Sequence, residues 1–431
     1  MSERTVRVNY VARVEGEGSL RVRLRERSVE EVELQIFEPP RFFEAMLRGR
    51  DAKEAPDITA RICGICPVAY QMSACHAIER AHGLTVGGAL RELRRLLYCG
   101  EWIESHALHI YLLHAPDFLG YPDAVRMARD HREEVETGLA LKKAGNTVLR
   151  LLGGREVHPV NVRVGGFYRV PSREELSSLV PVLEQALVAA ERTVRFAVGL
   201  PFPAAEEDYE FVALRHGSEY PMNEGDLVSS RGLRMPQERF EEAFEEVQVP
   251  YSTALHARRK GGGSYLVGPM ARYALNRDLL PAGARKLAEG VGLEEVVRNP
   301  FRSIVVRALE VYAACEEALR LVHRYTPPAR PFVELPEGFA GGTGAAVTEA
   351  PRGILYHRYE IAPDGLVREA RIVPPTSQNQ ARIEEDLRHL VERSLDLPDP
   401  ALSDACERAV RNHDPCISCA THFLDLRVEH V

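Results

Sequence analysis

A chain of 431 residues, 45% hydrophobic and carrying a net charge of −8, is long enough to bury a large core in several packed layers. Its basic residues form no stripe, which argues against nucleic-acid binding, and it contains no run of about 18 apolar residues that would span a membrane. The start, Met-Ser-Glu-Arg, has no apolar secretory segment, and eight cysteines in the whole chain do not make a disulfide scaffold.

Residues 5–37 alternate apolar and polar side chains (Val6, Val8, Tyr10; Leu20, Val22, Leu24; Val32, Leu34, Ile36), which predicts a strand meander. A first cysteine pair follows in Arg-Ile-Cys63-Gly-Ile-Cys66-Pro. Pro67 directly after Cys66 predicts a helix start, and the helix should run from Pro67 to His82 and end at Gly83. Residues 67–200 should be mostly helical. Leu90, Leu93, Leu96, Leu97, Ile103, Leu108 and Leu112 recur at helical spacing. Ser172 with Glu175 predicts a capping box before a helix over Leu176–Val198.

Residues 201–275 read as mixed structure. The Lys260–Ser264 glycine run is a turn, because no Gly-Lys-(Ser/Thr) follows to make a phosphate loop. Helix returns over Pro300–Tyr325. Tyr356–Val373 predicts a hairpin turning at Asp364-Gly365. Leu387–Leu395 and Asp404–Val410 predict helices. A second cysteine pair closes the series in Asp-Pro-Cys416-Ile-Ser-Cys419-Ala-Thr-His422. Asp414 is expected as an N-cap, with Pro415 in the first helical position.

Two Cys-x-x-Cys pairs that converge make a four-thiolate metal site. On spacing alone this is a structural zinc site, a redox dithiol pair or another thiolate centre. Both pairs are expected at helix starts, where the dipole favours thiolates. That suits a soft, sulfur-preferring metal, and zinc alone would not require it. Cys75, Cys99, Cys315 and Cys406 lie in helical patterns and read as small buried hydrophobes. Their scatter leaves no pattern for an iron–sulfur cluster. His106, His109 and His114 share one helix, and a packing face with satisfied imidazoles explains them better than a metal pair.

Four further segments stand in order around the cysteine pairs: Arg13-Val14-Glu15-Gly16; Arg41-Phe42-Phe43-Glu44 with Arg48-Gly49-Arg50-Asp51-Ala52; Glu349-Ala350-Pro351-Arg352-Gly353; and Val373-Pro374-Pro375-Thr376-Ser377-Gln378-Asn379. With the pairs, and with a weaker structural match at Gly268-Pro269-Met270-Ala271-Arg272, the set resembles the large, catalytic subunit of nickel–iron hydrogenases over nearly the whole chain. The implied fold is α+β and predominantly helical, with a central helical bundle and peripheral meander and hairpin regions. The expected organisation is an N-terminal meander with the proton and magnesium segment (1–60), a helical bundle with the first pair (61–200), a mixed region (201–345), and a C-terminal region with the arginine loop, hairpin and second pair (346–431).

The resemblance also implies roles. Cys63 and Cys416 would be terminal ligands of nickel. Cys66 and Cys419 would bridge it to an iron carrying carbon monoxide and cyanide. Glu15 would be the first proton acceptor; its ordinary alternative is a solvated carboxylate at a strand end. Arg352, with Ala350 and Pro351 before it, would lie over the metals; its ordinary alternative is a surface ion pair. Pro375 and Thr376 would line the cyanide pocket, with Thr376 donating a hydrogen bond. Glu44 and His422 would hold magnesium.

Two departures narrow the resemblance. Tyr70 stands where the common pattern has histidine, and with Gln71 it is similar to the cytoplasmic, bidirectional branch that works with NAD(P) or as sulfhydrogenase. Phe423–Val431 after His422 resembles a short form of the extension that a maturation protease removes. The implied activity is reversible H2 oxidation, with electrons passed to an iron–sulfur small subunit and on to diaphorase-type flavin subunits, since no dinucleotide fingerprint occurs here. Two alternatives remain: a relative such as the quinone-site subunit of a complex I-like enzyme, and a structural four-cysteine zinc protein. The first lacks the four cysteines.

Overall fold

The computed structural model describes residues 3–421. His422 and the segment after it, including the expected magnesium ligand and the expected cleavable tail, lie outside the described residues.

The N-terminal strands Glu3–Val8, Gly18–Arg25 and Ser28–Ile36 form the expected antiparallel meander. The alternation has a direct consequence. Val6, Val8, Leu20, Val22 and Leu34 point to one face and pack on Ile383, Leu387, Leu402 and Val410 from two C-terminal helices. The first and last parts of the chain are thereby brought together.

The helices carry the main core. Gly88–Leu108 packs on Arg132–Gly153 and on Ser303–Arg324, and Ser303–Arg324 packs in turn on Val180–Val198. Trp102, Leu97, Ile304 and Leu309 are fully buried in this bundle. The capping box at Ser172 and Glu175 is present. It opens only a short helix, Arg173–Ser177, and Val180–Val198 follows as a separate one with Pro181 in its first turn.

A second meander lies near the C-terminus: Gly342–Ala350, Gly353–Ile361 and Val367–Val373, in that order and antiparallel. The hairpin around Asp364-Gly365 was legible in the sequence. The strand Gly342–Ala350 was not, because Gly342, Gly344, Ala345 and Ala346 give it weak strand propensity. It pairs Ala350 with Gly353, so Pro351 and Arg352 form a two-residue turn.

The last two helices, Pro375–Glu392 and Asp399–Asn412, are longer than expected. Pro375 occupies the start of the first of these, where its missing N–H costs nothing. Among the described residues no helix is long and apolar enough to cross a membrane.

Candidate metal centre

The Pro67–Ala81 helix begins as its sequence dictates, with Pro67 first and Cys66 just before it. Cys63 is extended, so its sulfur turns back over the loop and accepts the N–H groups of Ile65 at 3.3 Å and Cys66 at 3.2 Å. The exposed amides of the helix's first turn are used by a residue the sequence did not suggest. Glu101 is fully buried, and its carboxylate accepts from Val68 N at 2.7 Å and Ala69 N at 3.1 Å.

The second cysteine arm departs from expectation. Asp414 is not an N-cap; its φ is 51°, and Cys416 is the residue before a short 3-10 turn, Ile417–Ala420. Contacts from other segments fix the arm. Ile417 N donates to Glu15 O at 2.9 Å, and Cys416 N donates to Thr376 Oγ1 at 3.0 Å. The Asp414 side chain faces Arg352 instead, at 3.1 Å.

Together the arms bring four buried sulfurs within 4.8 Å of one another. Cys63 Sγ lies 3.5 Å from Cys416 Sγ, and Cys66 Sγ lies 3.8 Å from Cys419 Sγ. Burial opposes ionisation of Cys63. Hydrogen bonds from Cys416, Cys419 and Cys66, with the Arg352 charge behind them, outweigh it and hold its pKa well below the ordinary thiol value. Burial first raises Cys416 well above that value. A dry set of four sulfurs, with no oxygen or nitrogen among them, fits a soft metal centre.

Glu15 reaches this cluster directly. Its Oε2 accepts from the Cys416 thiol at 3.0 Å and from Ser418 N at 3.1 Å. Burial, then the charge on Cys63, raises the Glu15 carboxyl above its ordinary value. A strand-end carboxylate in water would have neither the neighbours nor the shift. Gly16 makes the approach feasible. It has φ +87°, and a Cβ there would stand 2.7 Å from Ile417 Cβ and 2.6 Å from Glu38 Oε1.

Arg352 is 3% exposed, so it is not a surface ion pair. Its Nε donates to Asp414 O at 2.7 Å, its Nη2 to Asp414 Oδ1 at 3.1 Å and its Nη1 to Ser105 Oγ at 3.3 Å. Asp414 and the Cys416, Cys66 and Cys63 sulfurs keep it charged despite burial. Ala350 and Pro351 are buried beside it. Thr376 is buried and joins the site through Cys416, and Pro375 is buried next to it.

Glu44 is half-buried, and its Oε1 accepts from Ile372 N at 2.7 Å. Tyr70 is buried beside the sulfurs. Burial and then the thiols raise its phenol well above the ordinary value.

Arg41 ties the arms together. It donates to Ile62 O at 2.8 Å, just before Cys63, and to Ser418 O, between the last two cysteines. The sequence marked Arg41 as part of a motif without a task. Glu104, three residues past Glu101, is buried and pairs with Lys142 at 2.7 Å; burial pushes its pKa up to about 7.

The histidines are buried, as a packing face requires, but not all are satisfied as expected: both ring nitrogens of His114 lack a hydrogen-bond partner among the described residues, and it packs against the His109 and Phe118 rings instead. His106 bonds Glu310 at 3.0 Å, and His109 bonds Arg411 O at 2.9 Å within a helical stretch that widens to a π-turn at His109–His114. Cys75, Cys99, Cys315 and Cys406 are free and buried. Among the described residues, none of them joins a group of metal-ligating side chains.

Comparison with known proteins agrees with this geometry. The nickel-dependent hydrogenase profile matches residues 41–141 and 323–422. Sulfhydrogenase 1 subunit alpha of Pyrococcus furiosus is 35% identical over 427 residues, covering 98% of each chain. Sulfhydrogenase 2 subunit alpha of the same organism is 34% identical over 98% of this chain and 100% of its own. Among solved structures, an NAD+-reducing [NiFe]-hydrogenase in the H2-reduced state superposes with a TM-score of 0.87 at 26% identity, covering 97% of this chain and 99% of that one.

Proposed function

The chain belongs to the nickel-dependent hydrogenase family as a large, catalytic subunit, and on that premise we propose how its residues divide the work. Cys63, Cys66, Cys416 and Cys419 would hold the nickel and an iron carrying carbon monoxide and cyanide, with Cys63 and Cys416 as the nickel ligands and Cys66 and Cys419 shared with the iron. The pairing of sulfurs across the two arms supports this assignment. A nickel–iron centre held there supplies heterolytic cleavage of H2 and its reverse.

The carrying observation is the contact between Glu15 and Cys416. A proton arriving on the Cys416 sulfur has a carboxylate acceptor at hydrogen-bond distance, its proton affinity raised by burial and by the charge on Cys63. Arg352 places a fixed positive charge above the sulfurs, and Asp414 and Ser105 fix its direction. Thr376 accepts from Cys416 N, so its hydroxyl proton would be free to donate to a cyanide, with Pro375 beside it. Glu44 contributes to a magnesium site with His422.

Electrons leave through an iron–sulfur small subunit, because the remaining described cysteines gather no cluster. The likeness to an NAD+-reducing hydrogenase supports NAD(P) as the final acceptor, through diaphorase-type flavin and iron–sulfur subunits in the cytoplasm. The nine residues after His422 are removed by a maturation protease once nickel is in place. Convergence of all four cysteines weighs against a quinone-site relative, and family membership weighs against a structural zinc protein.

Glu15→Gln tests the proton role. It keeps the shape and loses the acceptor. In the complex with the small subunit, H2/D2O exchange should fall on the order of 10²–10⁴-fold while nickel content holds. Full exchange in a nickel-loaded variant would remove Glu15 from the mechanism.

A further inference from the structure

Arg272 lies in the one motif whose sequence match was weak and structural, and the mechanism above gives it no task. Its guanidinium is completely buried, and all five N–H donors are used. Two go to Glu310, at 2.9 and 2.8 Å, and one goes to Glu349 at 2.9 Å. The other two reach backbone carbonyls: Ala350 O at 2.8 Å and Pro351 O at 2.8 Å. The Trp102 ring lies 4.3 Å from the guanidinium, and Trp102 Nε1 donates to Glu349 O at 3.2 Å. Three successive carbonyls leading into the Pro351–Arg352 turn, those of Glu349, Ala350 and Pro351, are therefore held by Trp102 and Arg272.

A two-residue turn in a dry interior has no water to satisfy those carbonyls, so its orientation depends on these donors. A second close approach constrains the same turn. Gly268, four residues before Arg272, has φ +106°, and a Cβ there would stand 2.7 Å from Arg352 O.

We propose that Arg272 is a positioning residue that fixes the Pro351–Arg352 turn so that the Arg352 guanidinium stays aimed at the cysteine cluster. The proposal rests on Arg352 acting over the metal centre. Glu310 and Glu349 are then the anchors that orient Arg272, and the forked guanidinium is required because it serves two carboxylates and two carbonyls at once. A lysine keeps the charge but presents a single ammonium, which cannot reach all four.

Two readouts test this. In the metal-free chain, amide deuteration of the 349–353 segment should rise in Arg272→Lys while the 63–70 segment stays as protected as before. In the metal-loaded complex with the small subunit, Arg272→Lys should keep its nickel and lose H2/D2O exchange on the order of 10²-fold, as misplacement of a reacting-site group does. Combined with Arg352→Lys, it should cost no more than Arg352→Lys alone, because both changes remove one function.

Multiplying losses, or deuteration that rises evenly through the chain, would mark Arg272 as a general structural residue and overturn the proposal. If Arg352→Lys itself exchanges at the wild-type rate, the role given to Arg352 fails, and the local deuteration still decides whether Arg272 holds the turn. Should Arg272→Lys not fold, Gly268→Ala presses on the Arg352 carbonyl without altering any charge. It is then read in the same cycle, where additive losses would overturn the proposal and non-additive losses would support it.

Discussion

At the scale of single residues, the site is an arrangement of groups that water would normally keep apart. Four sulfurs, a cation and several carboxylates share one dry volume, and their contacts oppose desolvation without cancelling it everywhere: Glu15, Glu101 and Glu104 all stay raised by burial. Glu104 gives this a pH signature. Burial pushes its pKa up to about 7 from a normal carboxyl value, even with Lys142 beside it. The folded chain therefore binds more protons there than the unfolded chain, so the contribution is favourable at low pH and is lost as pH rises through about 7. Glu104→Gln removes that dependence. The melting temperature of the variant relative to the wild type should climb between about pH 5 and pH 8. A constant difference across that range would mean that Glu104 does not titrate there in the fold.

At the scale of elements, the site is a meeting of short arms fixed by longer ones. The Glu15-Gly16 segment runs beside the second cysteine arm, bridged to Cys416. Gly16→Ala puts a Cβ against Ile417 and strains a positive φ, which costs on the order of 1–3 kcal/mol. It should also draw Glu15 away from Cys416, so exchange activity should drop as far as in Glu15→Gln. A melting-temperature loss with unchanged exchange would detach the strand geometry from the proton role. Arg41 works between the arms. Arg41→Lys cannot serve Ile62 O and Ser418 O with one rigid fork. Nickel retention during dialysis against a chelator should fall several-fold, and equal retention would place the cohesion of the arms elsewhere. Element boundaries were legible where local chemistry sets them, as at Pro67 and the Ser172–Glu175 box. They were illegible where a partner sets them. The first turn of the Pro67 helix is capped by Glu101 from another helix, and Asp414 gives up the expected cap because Arg352 competes for its carboxylate.

At the scale of the whole molecule, the fold is a device for joining two distant parts of the chain. The N-terminal meander packs on the last helices through Val22, Leu34, Leu387 and Val410, and the helical bundle seats the first cysteine arm against the second. The four cysteines could be read from the sequence because short spacing announces a ligand pair. Their resemblance to a family then supplied the topology that spacing cannot. Arg272, Glu101 and Arg41 could not be read in the same way, since each acts through contacts made only after folding. The central claim is that the converged thiols hold the nickel–iron centre that turns over H2. Nickel and iron content and H2/D2O exchange, measured in one preparation of the complex for wild type and Cys419→Ser, test it most directly. The wild type should hold nickel equimolar with the chain and exchange, and the variant should lose both its iron and its exchange. Zinc in place of nickel in an actively exchanging wild type, or a Cys419→Ser variant with full exchange and iron, would contradict it.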